Sequence, residues 1–223
     1  MQTFSRQTAS YGHFARRVQA AAALAFAFAL FAAPAAGRTL RVVALGDSLT
    51  AGFGVPSGQG FTEVLARALK AKGWDVEVTN AGVSGETAAD GLARYDWSVP
   101  AGTDALLVEL GANDMLRGLP PDRAEAALAE ILQRAKKAHL ATLLLGMRAA
   151  PNLGADYQKQ FDAIYPGLAA RYAVPLYPFF LDGVADDPKL NQKDGEHPNR
   201  AGVQVIVARL LPAVEALLRQ VAP

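Results

Sequence analysis

The sequence predicts an α/β domain built on a parallel sheet, and three observations lead there. Apolar runs of strand length alternate with stretches of helical period, the pattern left by successive strand–helix–strand units. The runs are nearly continuous in Leu and Val, as strands covered by helices on both faces require. No repeat, low-complexity tract or long linker follows residue 37, so about 187 of the 223 residues read as one domain with one sizeable core.

The first 36 residues stand apart. Residues 1–19 carry Arg6, Arg16 and Arg17 and no acid, and lead into a 17-residue run of Ala, Phe and Leu from Ala20 to Ala36. These are the basic and apolar regions of a secretory signal. The run is shorter than the roughly 20 residues that span a bilayer and ends in Ala33-Pro34-Ala35, so cleavage near residues 35–37 is expected, with an uncleaved anchor as the alternative. Arg16-Arg17 points toward twin-arginine export. The segment holds three of the 22 basic residues and none of the 21 acidic ones, which leaves 19 basic against 21 acidic in the mature part. The formal charge of +1 therefore belongs to the signal. A domain with no basic stripe excludes nucleic acid as a partner. The absence of cysteine excludes disulfides, zinc-thiolate sites, thiol nucleophiles and lipid anchors on sulfur. A bacterial periplasmic or secreted enzyme fits this composition, as a monomer with no membrane anchor once the signal is removed.

In chain order, the predicted strands are residues 40–45, 76–80, 105–110, 142–147 and a short one at 174–177. Helices are predicted at 61–72, ended by Gly73, and at 121–139, opened by Pro120 and Pro121 and rich in Ala, Glu and Leu. Two more, at 157–172 and 199–220, contain Pro166 and Pro212, where a kink or an interruption is expected. In open α/β sheets the functional groups collect at the carboxyl ends of the strands.

The first strand runs into Gly46-Asp47-Ser48-Leu49-Thr50-Ala51-Gly52, which places Ser48 directly after a buried strand between residues that permit a tight turn. A helix-capping turn is the plain alternative for this tripeptide. A serine hydroxyl becomes a nucleophile only beside a base that a carboxylate orients. Of the two histidines beyond the signal, His139 lies next to Lys136 and Lys137 at a helix end, where a solvated cation is the simpler reading. His197 lies in Asp194-Gly195-Glu196-His197-Pro198-Asn199, and the three-residue spacing lets Asp194 and His197 meet in one turn. Donors for a developing oxyanion are offered by Asn80-Ala81-Gly82-Val83-Ser84-Gly85-Glu86 after the second strand and by the amide of Asn113 in Gly111-Ala112-Asn113-Asp114 after the third.

Together these four segments resemble the SGNH, or GDSL, hydrolase family, from about Leu40 to the last helix. The likeness is nearest to the thioesterase I/lysophospholipase and arylesterase branch, which also matches in Leu92-Ala93-Arg94 and Val108-Glu109-Leu110. The resemblance implies a flavodoxin-like three-layer α/β/α fold and a mechanism without metal or cofactor. Ser48 would be the nucleophile, His197 the base and Asp194 its orienter, with the Ser48 and Gly85 N–H groups and the Asn113 amide around the oxyanion. Gly82 is the alternative to Gly85 if the loop register differs. Glu196, where the branch often has an apolar residue, is expected to face solvent.

The loops 115–120 and 148–156 are expected to border the cleft, with Met115, Leu116, Leu119 and Leu153 as acyl-site candidates and Ala149 and Ala150 leaving room. The expected activity is hydrolysis of short to medium acyl esters and thioesters, including lysophospholipids. A carbohydrate O-acetyl esterase of the same fold, and a non-catalytic envelope binding protein, are the alternatives.

Overall fold

The computed structural model describes residues 38–222, so the signal expected at residues 1–36 lies outside the described part. In chain order the domain comprises β1 (Leu40–Gly46), α1 (Ser48–Ala51), α2 (Phe61–Ala71), β2 (Val76–Gly82), α3 (Ala88–Ala93), α4 (Tyr95–Ser98), β3 (Ala105–Glu109), α5 (Ala112–Leu116), α6 (Pro121–Lys137), β4 (Ala141–Leu145), a 3₁₀ turn (Pro151–Leu153), α7 (Ala155–Tyr172), β5 (Leu176–Tyr177) and α8 (Arg200–Leu218).

The five strands form one sheet in the order β2-β1-β3-β4-β5, and every pairing is parallel. The chain starts at β1, steps outward to β2, then returns past β1 to β3, so the direction of winding reverses between β1 and β3. Loops leaving neighbouring strands diverge at such a point and open a crevice. Register sharpens it: Gly46 stands opposite Gly82 of β2 and opposite Glu109 of β3. Three strands therefore end at one level, and their loops start side by side.

Helices cover both faces. On one, α2 packs against α8 and β2; on the other, α6 packs against both α3 and α7. The sequence of α6 shows why it docks: Ala124, Ala127, Leu128, Ile131, Leu132 and Ala135 fall on one stripe and all are buried. α8 is long and apolar enough to cross a bilayer by composition alone. Its Val203, Ile206, Val207, Leu210, Val214 and Leu217 are instead buried in the core, at about 1.5–3 kcal/mol for each large side chain.

Strands buried on both faces describe β1, β3 and β4 but not β2. There Glu77, Thr79 and Asn80 are exposed, because β2 is an edge. Pro166 and Pro212 interrupt neither helix: α7 and α8 run through them. The buried side chains on either side of each proline, Tyr165 and Leu168 in one case and Leu210 and Val214 in the other, hold the helix in place.

Candidate active site

Asp47 sits between β1 and α1 and accepts the Leu49 N–H at 3.0 Å, capping α1. This short helix presents Ser48 at its first turn, at the carboxyl edge of the sheet. From the far end of the chain, the loop before α8 folds back to meet it. An antiparallel bridge between Asn191 and Pro198 closes that loop, and Asn199 caps α8 with its Oδ1 while its Nδ2 donates to the Lys189 and Asn191 carbonyls.

The closed loop brings the three predicted residues into one line. Ser48 Oγ is 2.9 Å from His197 Nε2, and His197 Nδ1 is 2.9 Å from Asp194 Oδ2. An ionised carboxylate only accepts, so Nδ1 carries the ring proton and Nε2 is left to accept the serine hydroxyl. Asp194 Oδ1 also accepts the Glu196 and His197 backbone N–H groups, at 3.0 and 3.1 Å. The bond from the His197 N–H is the main cause that holds the Asp194 carboxyl below its ordinary range.

The expected oxyanion donors face the same place. Ser48, Gly85 and Asn113 line a cavity of about 690 Å³ together with His197. The backbone N–H groups of Ser48 and Gly85 have no acceptor among the described residues. Gly85 has φ +85°, a conformation that favours glycine. Gly82 lies elsewhere: its N–H donates to Asn80 Oδ1, and a Cβ there would come within 2.3 Å of the Ala51 nitrogen. Close packing against α1, rather than the cleft, accounts for that glycine. One Asn113 amide N–H donates to Asp47 Oδ2 at 3.1 Å, which orients the amide.

Beneath Ser48 lies a buried acidic pair to which the sequence reading gave no role. Glu109, at the end of β3, is fully buried, and its Oε2 accepts the Thr50 hydroxyl at 2.7 Å, the Thr50 N–H at 3.2 Å and the Asp47 N–H at 3.4 Å. Glu109 Oε1 has no hydrogen-bond partner among the described residues. Burial, and then the charge of Asp47, push the Glu109 carboxyl well up; burial pushes Asp47 up to about 6. Both effects favour the neutral form of the Glu109 carboxyl over the charged one. A lone acid in the apolar stretch Ala105-Leu106-Leu107-Val108-Glu109-Leu110 was the signal available in the sequence.

The apolar wall matches the expectation in part. Met115, Leu116 and Leu153 line the cavity, as do Ala149 and Ala150. Leu119 does not: it is half-buried beyond α5, and its carbonyl accepts the Tyr157 hydroxyl instead. The wall also contains Phe53, Met147, Phe179 and Arg148, the last with its guanidinium 5.0 Å from the Phe179 ring centroid. Glu196 is exposed at the rim, and His139 is exposed at the end of α6.

Comparison with known proteins places this geometry. A model of the GDSL-like lipase/acylhydrolase family matches residues 44–205, a span that contains Ser48, Gly85, Asn113, Asp194 and His197. This chain belongs to that family. Among GDSL-like relatives it is similar to esterase TesA of Pseudomonas aeruginosa, 38% identical over 193 residues that cover 86% of this chain and 95% of that one. It is 41% identical over 167 residues to thioesterase 1/protease 1/lysophospholipase L1 of Escherichia coli K12, covering 74% of this chain and 78% of that protein. The crystal structure of AlinE4, an SGNH-hydrolase family esterase, superposes with a TM-score of 0.69 at 45% identity, over 82% of this chain and 98% of its own. As a GDSL-like acylhydrolase, the protein is a hydrolase of ester bonds.

Proposed function

We propose that Ser48, His197 and Asp194 form the catalytic triad of a serine esterase that hydrolyses short to medium acyl esters and thioesters, lysophospholipids included. The observation that carries this reading is the continuous line from Ser48 Oγ through both ring nitrogens of His197 to Asp194, 2.9 Å at each step, opening onto a single cavity. Ser48 Oγ attacks the acyl carbonyl as His197 Nε2 takes its proton, and Asp194 holds the ring and offsets the charge that forms on it. The oxyanion is met by the Ser48 and Gly85 N–H groups and by the free N–H of the Asn113 amide. The proton then passes to the leaving oxygen of an ester or the leaving sulfur of a thioester, and water activated by His197 releases the acid from Ser48. The names of the relatives in Pseudomonas aeruginosa and Escherichia coli support this choice of substrates.

The working unit in this reading is residues 37–223, exported and freed of the signal at 1–36, acting as a monomer because one chain supplies every triad and oxyanion group. Purified protein should hydrolyse 4-nitrophenyl butyrate and butyryl-CoA, and Ser48→Ala should abolish both activities. Retained hydrolysis in that variant contradicts the assignment. Amino-terminal sequencing of protein recovered from the periplasm or medium should begin near residues 36–38; a full-length chain held in the membrane fraction contradicts export with cleavage.

A further inference from the structure

We propose that Phe53 is the platform for the leaving group, and that the site therefore favours esters whose alcohol half is a flat apolar ring. The proposal rests on the roles of Ser48 and His197 given above. In the acylation step the bond from Ser48 Oγ to the acyl carbon forms, the bond from that carbon to the alcohol oxygen breaks, and His197 Nε2 delivers its proton to that oxygen. The leaving oxygen must then lie within hydrogen-bond reach of Nε2, and the rest of the alcohol extends over whatever borders the imidazole.

Phe53 borders it. Its ring centroid is 4.7 Å from that of His197, with the planes tilted by 43°, and it lines the same cavity. Phe53 is 51% exposed, more than Phe179, which lines the same cavity, so a face of its ring is open to a bound group. The residue is also fixed to both halves of the site. Its N–H donates to the Ser48 carbonyl at 3.0 Å, and its own carbonyl accepts Gln192 Nε2 at 2.7 Å. Gln192 in turn donates from Nε2 to the Pro198 carbonyl at 3.1 Å and from its backbone N–H to the His197 carbonyl at 2.7 Å. Phe53 is thus held in register with nucleophile and base together. Gly52 and Gly54 flank it, so neither neighbour adds a side chain over the open face of the ring. Met115, Leu116 and Met147 line the same cavity and leave apolar wall for the acyl half.

The test compares benzyl butyrate with n-propyl butyrate, which share the acyl group and release alcohols of similar basicity, on the wild type, Phe53→Leu and Phe53→Tyr. Stacking beyond simple area burial is worth about 0.5–1.5 kcal/mol, so the benzyl-to-propyl ratio of kcat/KM should fall about 3–10-fold in Phe53→Leu, chiefly through KM of the benzyl ester. Phe53→Tyr, which keeps the ring, should restore the ratio to within about twofold. A substitution that merely displaced His197 would slow both esters alike and leave the ratio unmoved. An unchanged ratio in Phe53→Leu, with the wild type active, overturns the platform and leaves the triad standing; a wild type that hydrolyses neither ester overturns both.

Discussion

The hydroxyl of Thr50 donates to Glu109 Oε2 at 2.7 Å directly beneath the serine turn, in a place that no solvent reaches. This bond joins the first turn of α1, which carries Ser48, to the end of β3, which leads into Asn113. Two more N–H groups, of Thr50 and Asp47, converge on the same oxygen. A buried carboxyl is thus the floor that joins the turn carrying Ser48 to the strand leading into Asn113.

Removing the floor should cost stability before it costs chemistry. Glu109→Ala leaves three buried donors without an acceptor and opens a cavity, for a loss of about 3–5 kcal/mol. Glu109→Gln keeps the shape and an accepting oxygen, and it carries no charge, the direction in which burial and Asp47 push the Glu109 carboxyl. Urea unfolding should place Glu109→Gln within about 1.5 kcal/mol of the wild type, well apart from Glu109→Ala. Equal losses in the two variants would mean that Glu109 acts as an anion.

Asp47 gives the fold a pH dependence of definite sign. Its carboxyl is raised from 3.8 to about 6, first by burial, against the opposing bonds from Leu49 and Asn113. The native state therefore binds a proton more tightly than the unfolded chain does. That contribution is complete below the unfolded value near 4 and is lost as the pH rises through about 6. Unfolding free energy should thus increase from pH 7 to pH 4.5 by about 2 kcal/mol more in the wild type than in Asp47→Asn. Denaturant titrations across that range would show parallel curves if the shift were absent.

The opposite sign holds at Asp194, whose carboxyl is lowered chiefly by the His197 N–H. Its contribution is present above the ordinary carboxylate value and disappears as the pH falls through the lowered one. In the proposed triad the carboxylate keeps the proton on Nδ1. Asp194→Asn, an amide that presents its own donor to the ring, should lower kcat by about 10²–10⁴-fold with KM changed little. Steady-state kinetics on 4-nitrophenyl butyrate decide this, and a loss confined to KM would remove Asp194 from the triad.

Asn113 has two tasks that substitution can separate. Asn113→Ala removes the proposed oxyanion donor and should cost about 10²–10³-fold in kcat. It also frees Asp47 Oδ2 from its one side-chain donor, so the shift at Asp47 should grow. Kinetics and the pH dependence of stability, measured on the same variant, read the two tasks independently. An unaltered kcat would exclude the amide from the oxyanion site.

The strand-and-helix alternation was legible because each element buries a periodic stripe, as α6 does with Ala124, Leu128 and Ile131. Sheet order was not, since nothing in β2 states which neighbour it will pair with; its exposed Glu77 and Thr79 hint only that it is an edge. Ser48 and His197 could be singled out because few residue types can do the proposed chemistry and the chain past residue 36 offers two histidines. Their meeting across 149 positions could not, because it depends on the Asn191–Pro198 bridge and on the Asn199 cap. Asp47 and Glu109 stayed hidden for a different reason: a carboxyl next to a turn looks solvated until the fold buries it. Phe53 showed nothing in a glycine-rich loop until its ring was seen against His197.

The central claim is that Ser48 is the nucleophile activated by His197, and a fluorophosphonate tests it without any choice of substrate. Folded wild-type protein should form one covalent adduct, which peptide mass spectrometry should map to Ser48. His197→Ala should slow labelling by about 10³-fold or more, because the hydroxyl loses its base. An adduct on another residue, or labelling of Ser48 at the same rate without His197, would contradict the account.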